Sequence, residues 1–324
     1  MIDQEVIKNA KENYFTTTVF NNEVIISPKR AKRPETFFKK TDEKGNQKLR
    51  EKKIDENCVF CLHNEHKTPR ETCRIMNHDK NVWSCRSFTN YFPCAHISNN
   101  KAYGYHEVIV ENPYHNKSLS NMTHLEIKNV LKLMQKRFVE IKNDKRIKFI
   151  AIFKNFGEKA GASQVHSHCQ LIAIDKLPNS IKEISKMLNP KNCPFCKFDN
   201  SQFIKVKESK NSFILVPKAQ MFSYELIIAP KKHKQFEDLS EEELVDLSIN
   251  ISYVLKCYEK NFNNKLAYNM LFYTNPVNTH QECLEESHFF VRTFLRDNTI
   301  AGFELLTNIF INTTNALMTK KLFK

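Results

Sequence analysis

Two Cys-x-x-Cys pairs, Cys58-Val59-Phe60-Cys61 and Cys193-Pro194-Phe195-Cys196, constrain this chain more than any other feature. A two-residue gap lets both thiolates of a tight turn point at one ion, the usual start of a zinc site. Each pair is followed by a similar series of landmarks. Glu107 and Glu225 open apolar, β-branched runs and stand eight residues before His115 and His233. Each histidine precedes a capping-box signature, Thr123-His-Leu-Glu126 and Ser240-Glu-Glu-Glu243, that announces a helix. Helical periodicity follows, as in Leu125, Ile127, Val130, Leu131, Met134 and Phe138. Strand-like runs come next at 147–153 and 266–273, and a histidine-bearing strand closes each half at 165–174 and 288–295.

The order predicts a duplication with two Cys₂His₂ sets. Cys58, Cys61, His115 and His166 form the first; Cys193, Cys196, His233 and His288 form the second. Offsets between counterparts are 135, 135, 118 and 122 residues, so loop lengths drifted while the order held. This composition suits tetrahedral Zn²⁺, one ion expected in the first half and a second in the other. Ten cysteines in a chain without a signal-like apolar core argue for metal before disulfides. No run approaches the roughly 18–20 apolar residues of a membrane span, so the expected location is cytoplasmic and no membrane partner is expected.

Lys+Arg of 50 against Asp+Glu of 36 gives +14, which favours an anionic partner. The densest basic stretch, Lys29 to Lys53, holds eleven Lys/Arg in 25 residues, and its second half reads as an exposed loop in preference to a nucleic-acid arm.

The sharpest chemical signal is Asn155-Phe-Gly157-Glu-Lys-Ala-Gly161-Ala-Ser163-Gln-Val-His166-Ser-His168-Cys-Gln170. Strand alternation puts His166, His168 and Gln170 on one face. A metal-held His166 would stiffen the backbone and aim His168 at whatever occupies that face. Gly157 and Gly161 allow close approach to a ligand, and Ser163 can donate to a phosphate oxygen. Gln170 can donate to a developing oxyanion without adding charge. A neutral imidazole is a competent nucleophile toward phosphorus. Aligning His166 with His288 puts Phe290 where His168 stands, so the second half has no nucleophile.

This segment resembles the active-site motif of the galactose-1-phosphate uridylyltransferases of the histidine-triad superfamily, usually His-Pro-His with a Gln two residues later. Ser27-Pro-Lys-Arg30-Ala-Lys-Arg33-Pro34 is similar to the family's phosphate-contacting element, and Cys58-Val-Phe-Cys61 with Asn64-Glu65 and Thr68-Pro69 to its zinc loop. Ser87-Phe-Thr-Asn90-Tyr-Phe-Pro93 resembles the stretch lining the nucleoside pocket. Ile300-Ala-Gly-Phe-Glu304 resembles an element that reaches substrate across a dimer interface.

The resemblance implies an α+β fold of two histidine-triad-like units whose antiparallel-rich sheets merge, with helices packed on them. A catalytic half would span 1–185 and a half without nucleophile 186–324. It implies a homodimer that transfers a nucleoside monophosphate, UMP first, between a nucleotide sugar and a hexose 1-phosphate through nucleotidyl-His168. Gln170 and Ser163 would assist, and Arg30, Arg33, Asn90, Asn155, Gly161 and Glu304 would bind substrate. Phosphate or water as acceptor would make the chain a phosphorylase or hydrolase. A zinc-stabilised binding module without catalysis is the reading from another class. Three departures stand out: Ser167 in place of Pro, which leaves a freer backbone beside the nucleophile; His288-Phe-Phe-Val-Arg292 in place of His-x-His-x-Glu; and Thr307–Asn312 in place of a glycine-containing stretch.

Overall fold

The computed structural model describes residues 2–19, 22–33, 52–77, 81–198, 200–262 and 266–323. Most of the basic loop, together with Pro34 and His78, lies outside the described residues. Helix α1 (Ile2–Ala10) leads into a hairpin of β1 (Tyr14–Thr17) and β2 (Glu23–Ile26). The first half then contributes β3 (Glu71–Asn77), β4 (Val82–Thr89), β5 (Gly104–Val110), helix α2 (His124–Lys142), β6 (Phe149–Phe156) and β7 (His168–Ile174). After helix α3 (Asn179–Met187), the second half contributes β8 (Phe203–Glu208), β9 (Ser212–Pro217), β10 (Leu226–Pro230), helix α4 (Glu241–Phe262), β11 (Tyr268–Tyr273), α5 (Glu282–Glu285) and β12 (Phe290–Leu295). Two short helices, α6 (Gly302–Thr307) and α7 (Ala316–Lys321), end the described chain.

Ten strands make one antiparallel sheet in the order β3-β4-β5-β7-β6-β11-β12-β10-β9-β8. Counted from either edge, each half runs first, second, third, fifth, fourth strand, which is the duplication expected from the sequence. The halves meet at β6 and β11, where Asn155 lies opposite Asn269. Helix α3 spans the junction expected at 185/186 and packs against α5 of the second half.

One face of the sheet is covered by α2 and α4, which share a single apolar core with it. Ile127, Val130, Leu131 and Met134 of α2 and Leu244, Leu247, Ile251 and Val254 of α4 face Ile150, Ile152, Leu171, Ile228 and Met270. Both capping boxes form: Thr123 with Glu126, and Ser240 with Glu243. A carboxylate that accepts the N-cap N–H also favours the positive end of the helix dipole. No helix among the described residues is long and apolar enough to cross a membrane.

Two sequence expectations change at this level. The closing strands begin three and two residues later than expected, at His168 and Phe290, so His166 and His288 sit in the segments just before them. The His166 carbonyl accepts from its neighbour His168 and is drawn out of the sheet ladder. The aligned pair Glu107 and Glu225 also separates. Glu107 points to the helix face, where Arg137 of α2 binds it through two hydrogen bonds of 2.9 and 2.6 Å. Glu225 instead pairs with Arg292. The cause is one extra residue in the first half: Val108, opposite Gln170, stands seven before His115, whereas Ile227, opposite Arg292, stands six before His233.

Gly157 has a φ of +84°, and a Cβ there would meet the Ala267 Cβ at 2.9 Å and the Leu266 carbonyl at 3.0 Å. Its requirement is the passage of β6 against the chain entering β11, and not approach to a ligand. Gly157→Ala should therefore cost about 1–3 kcal/mol, read as a lower urea midpoint at unchanged slope. Gly302→Ala, where a Cβ meets nothing within 4 Å, should change stability by less than about 0.5 kcal/mol.

Candidate active site and metal centres

The open face of the first half carries a cavity of about 440 Å³. Arg30, Arg33, Asn90, Asn155, Gly161, Ser163, His168 and Gln170 all line it, on walls that include Val59, Phe60, Thr68, Phe88, Val108, Phe153 and Ile172. Lys67 adds a third cation, and no carboxylate is among the described lining residues. A volume of this order takes a small organic ligand, and the charge selects an anionic one. Glu304 does not line this cavity. It caps α6, accepting from the Ala301 N–H at 3.1 Å, and borders a separate cleft.

At one end of the cavity, Cys58, Cys61, His115 and His166 bring their ligand atoms within 4.8 Å of one another. The Sγ–Nδ1 separations are 3.6 Å for Cys58–His166, 3.4 Å for Cys61–His115 and 3.5 Å for Cys61–His166. A tetrahedral zinc with ordinary bond lengths has S–N edges of about 3.5 Å. His166 Nε2 donates to the Asn112 carbonyl at 2.8 Å, which leaves Nδ1 with its lone pair directed at the thiols. Cys58, against the opposing effect of burial, and the two imidazoles hold the Cys61 thiol well below its usual range. The donor set fits a tetrahedral ion.

Cys193, Cys196, His233 and His288 form the second such group, with Sγ–Nδ1 separations of 3.1–3.4 Å. His233 Nε2 donates to the Glu286 carbonyl at 2.6 Å, as His166 does to Asn112 in the first half. His63 and His66, which follow the first CxxC, belong to neither group.

The Phe inside each CxxC turn reports what faces the cluster. Phe60 stands edge-on to His168 at 5.3 Å, and Phe195 meets Phe290 at the same separation. Tyr273 stacks on Phe290 at 4.3 Å, filling the second half where the first is hollow.

His168 starts β7, buried, with Nδ1 2.9 Å from the His166 carbonyl. A carbonyl can only accept, so the proton is on Nδ1 and the Nε2 lone pair is free. Burial pushes the imidazole down to about 4, which keeps it neutral.

Behind His168, on the helix face, lies a buried polar cluster. Lys154 Nζ donates to Glu111 Oε1 at 2.7 Å and to Ser167 Oγ at 2.8 Å, and lies 3.4 Å from the His168 carbonyl. Ser167 Oγ donates to Glu111 Oε2 at 2.6 Å, and Cys169 Sγ to Oε1 at 2.9 Å. Burial raises the Glu111 carboxyl, but Lys154, Cys169 and Ser167 together hold it below its ordinary value. The serine that replaces proline at 167 joins this cluster, fastened by its side chain.

Sequence reasoning also passes over His106, which is fully buried beneath the cavity and hydrogen-bonded to Gln170 at 3.0 Å. The available signal is a charged-or-polar pair, His106-Glu107, inside an otherwise apolar strand.

The family model for galactose-1-phosphate uridyl transferase, N-terminal domain, matches residues 4–178, more than half of the chain. A model for a domain of unknown function (DUF4921) matches residues 105–322. An ADP-glucose phosphorylase of Arabidopsis thaliana is 29% identical over 334 residues, covering 96% of this chain and 92% of that protein. A galactose-1-phosphate uridylyltransferase of Thermotoga maritima is 31% identical over 57% of this chain and 59% of its own. The crystal structure of an ADP-glucose phosphorylase from Arabidopsis thaliana with bound ADP-glucose superposes with a TM-score of 0.75 at 27% identity, covering 96% of this chain and 98% of that one.

Lys154→Met leaves the Glu111 charge without its counterion and should cost about 3–5 kcal/mol. The double variant Lys154→Met/Glu111→Leu should recover part of that loss in urea titrations, because no charge is then stranded.

Proposed function

This chain belongs to the galactose-1-phosphate uridyl transferase family, and from that premise we propose that it moves a nucleoside monophosphate from a nucleotide sugar to an anionic acceptor through a covalent bond to His168. The observation that carries the reading is the free Nε2 lone pair of a buried, neutral His168 in a cavity lined by three cations. The Nε2 lone pair attacks the α-phosphorus, and the bond from phosphorus to the bridging oxygen breaks. Sugar 1-phosphate leaves with that electron pair. The ring now carries nucleotide on Nε2 and a proton on Nδ1, and the His166 carbonyl accepts from that proton and stabilises the cationic ring. An acceptor oxygen then attacks phosphorus, the N–P bond breaks, and its electrons return to the imidazole.

Arg30, Arg33 and Ser163 offset phosphate charge, while Gln170 donates to the oxygen that gains charge in flight. Asn155 accepts from Asn269 at 2.8 Å through its oxygen, which leaves its amide as a donor to substrate. Zinc, held by Cys58, Cys61, His115 and His166, would supply rigidity and no Lewis acidity, since four protein ligands fill a tetrahedral ion. Cys193, Cys196, His233 and His288 would hold a second, structural ion.

Inorganic phosphate is the acceptor we favour, giving a nucleoside diphosphate and sugar 1-phosphate, with an adenylyl donor. The support is a relative of that activity whose similarity runs through both halves, the second included. The second reading, uridylyl transfer to a hexose 1-phosphate, draws on the family model over the first half and the relative from Thermotoga maritima. In that family's manner a homodimer would bring Glu304 to the partner's cavity.

Intact-mass analysis after mixing the protein with ADP-glucose, UDP-glucose or UDP-galactose should reveal a nucleotide-sized adduct that is absent in His168→Asn. Phosphate should discharge the adduct faster than glucose 1-phosphate or galactose 1-phosphate; the reverse order would select the second reading. Metal analysis should return about two zinc ions per chain. Cys58→Ser should lose one of them and unfold at lower temperature, because binding energy at such a site is folding energy.

A further inference from the structure

On the cavity face of the sheet, one side-chain pair links the start of the third strand of each half to the fifth at the same diagonal, the second half's member standing one residue before β10. In the second half it is Glu225 with Arg292, an ion pair whose two N–H···O bonds measure 2.8 and 3.0 Å. In the first half it is His106 with Gln170. The exchange has a chemical consequence. The guanidinium spends two N–H groups on its carboxylate and another on the Tyr273 hydroxyl, whereas the imidazole engages only the oxygen of the carboxamide. The Gln170 NH₂ has no partner among the described residues, and Gln170 lines the cavity with His168.

A carboxamide can turn over with almost no change of shape, so something must decide which end meets the ligand. The hydrogen-bond chain behind Gln170 decides it. The Cys94 backbone N–H, which can only donate, lies 3.1 Å from His106 Nδ1. Arg30 Nη1 approaches the same nitrogen at 3.4 Å. Nδ1 is therefore an acceptor, and the ring proton sits on Nε2. Gln170 Oε1 lies 3.0 Å from Nε2 and takes that proton. The Asn90 amide is 3.2 Å from Nε2, but its own oxygen is turned to the Phe92 N–H, so it cannot accept. Burial, with Arg30 adding to it, pushes His106 down to about 3, so the ring remains a single neutral tautomer.

We propose that His106 is a positioning residue for group transfer: it holds Gln170 by the oxygen so that the NH₂ faces the phosphorus attacked by His168. In the opposite orientation the Gln170 oxygen would confront the phosphoryl oxygens, replacing a donor by a repulsion. This role rests on the nucleotidyl-histidine reading of the cavity, and its test separates the two.

The test follows nucleotidyl-enzyme formation from ADP-glucose in single turnovers of the metal-loaded protein, by rapid quench and intact mass. His106→Phe and Gln170→Ala should each slow the step by about tenfold to a hundredfold, with donor KM within about threefold. The double variant should be no slower than Gln170→Ala alone, since His106 has nothing left to orient. His106→Gln, which can present an N–H near the Nε2 position, should restore most of the rate, and His106→Asn should not. Rate losses that multiply in the double variant, or a His106→Phe rate equal to wild type, would overturn the role. Should His106→Phe lose metal or melt early, the Gln and Asn variants at position 106, each with and without Gln170→Ala, decide the same question. A folded, metal-loaded wild type that forms no adduct with any nucleotide sugar would remove the underlying reading itself.

Discussion

Everything at the site depends on four side chains from distant parts of the chain converging on one point. Cys58 and Cys61 arrive on a loop, His115 follows β5, and His166 precedes β7, 108 residues after Cys58. Their Sγ–Nδ1 spacings match the edges of a metal tetrahedron. The constraint spreads outward through hydrogen bonds. His166 is tied to the Asn112 carbonyl, and the Asn112 amide donates to Glu126, the capping carboxylate of α2. The start of the long helix, the end of β5 and the entry to β7 thus share one anchor.

His168 is fixed from two sides that use different physics. On the cavity side Phe60 restricts the ring, and the His166 carbonyl sets its tautomer. On the helix side the Lys154–Glu111 ion pair grips Ser167 and Cys169, the residues flanking it. Buried ion pairs add little net stability against apolar alternatives, but they penalise misplacement heavily. Such an arrangement suits a residue whose neighbours must not shift by an ångström while the ring itself is attacked and released.

The parts of this architecture carried by local spacing are readable in the sequence. The CxxC turns, the capping boxes and the order of strands, helix and histidine depend on residues a few positions apart, and the ten-stranded sheet follows that order. What escapes depends on pairing between strands. Glu111 and Lys154 are 43 residues apart and each reads alone as a surface charge. Only the register of β5, β7 and β6 brings them together with Ser167. His106 reads as an isolated histidine for the same reason. The equation of Glu107 with Glu225 fails because one inserted residue, invisible to an offset count from the histidines, turns a strand over.

The seam between β6 and β11 has a further meaning. Phe153 opposes Leu271, its counterpart in the repeat (one lies across from Gln170, the other from Arg292), on strands that run in opposite directions at the midpoint of a repeated order. An antiparallel junction of like with like is the geometry of a two-fold axis. A chain holding one such unit would leave that edge bare, and two copies could close the same sheet by meeting there. Fusion of the copies makes the arrangement permanent and frees each from being identical to the other. One could then fill its hollow with aromatic rings while its neighbour kept the chemistry.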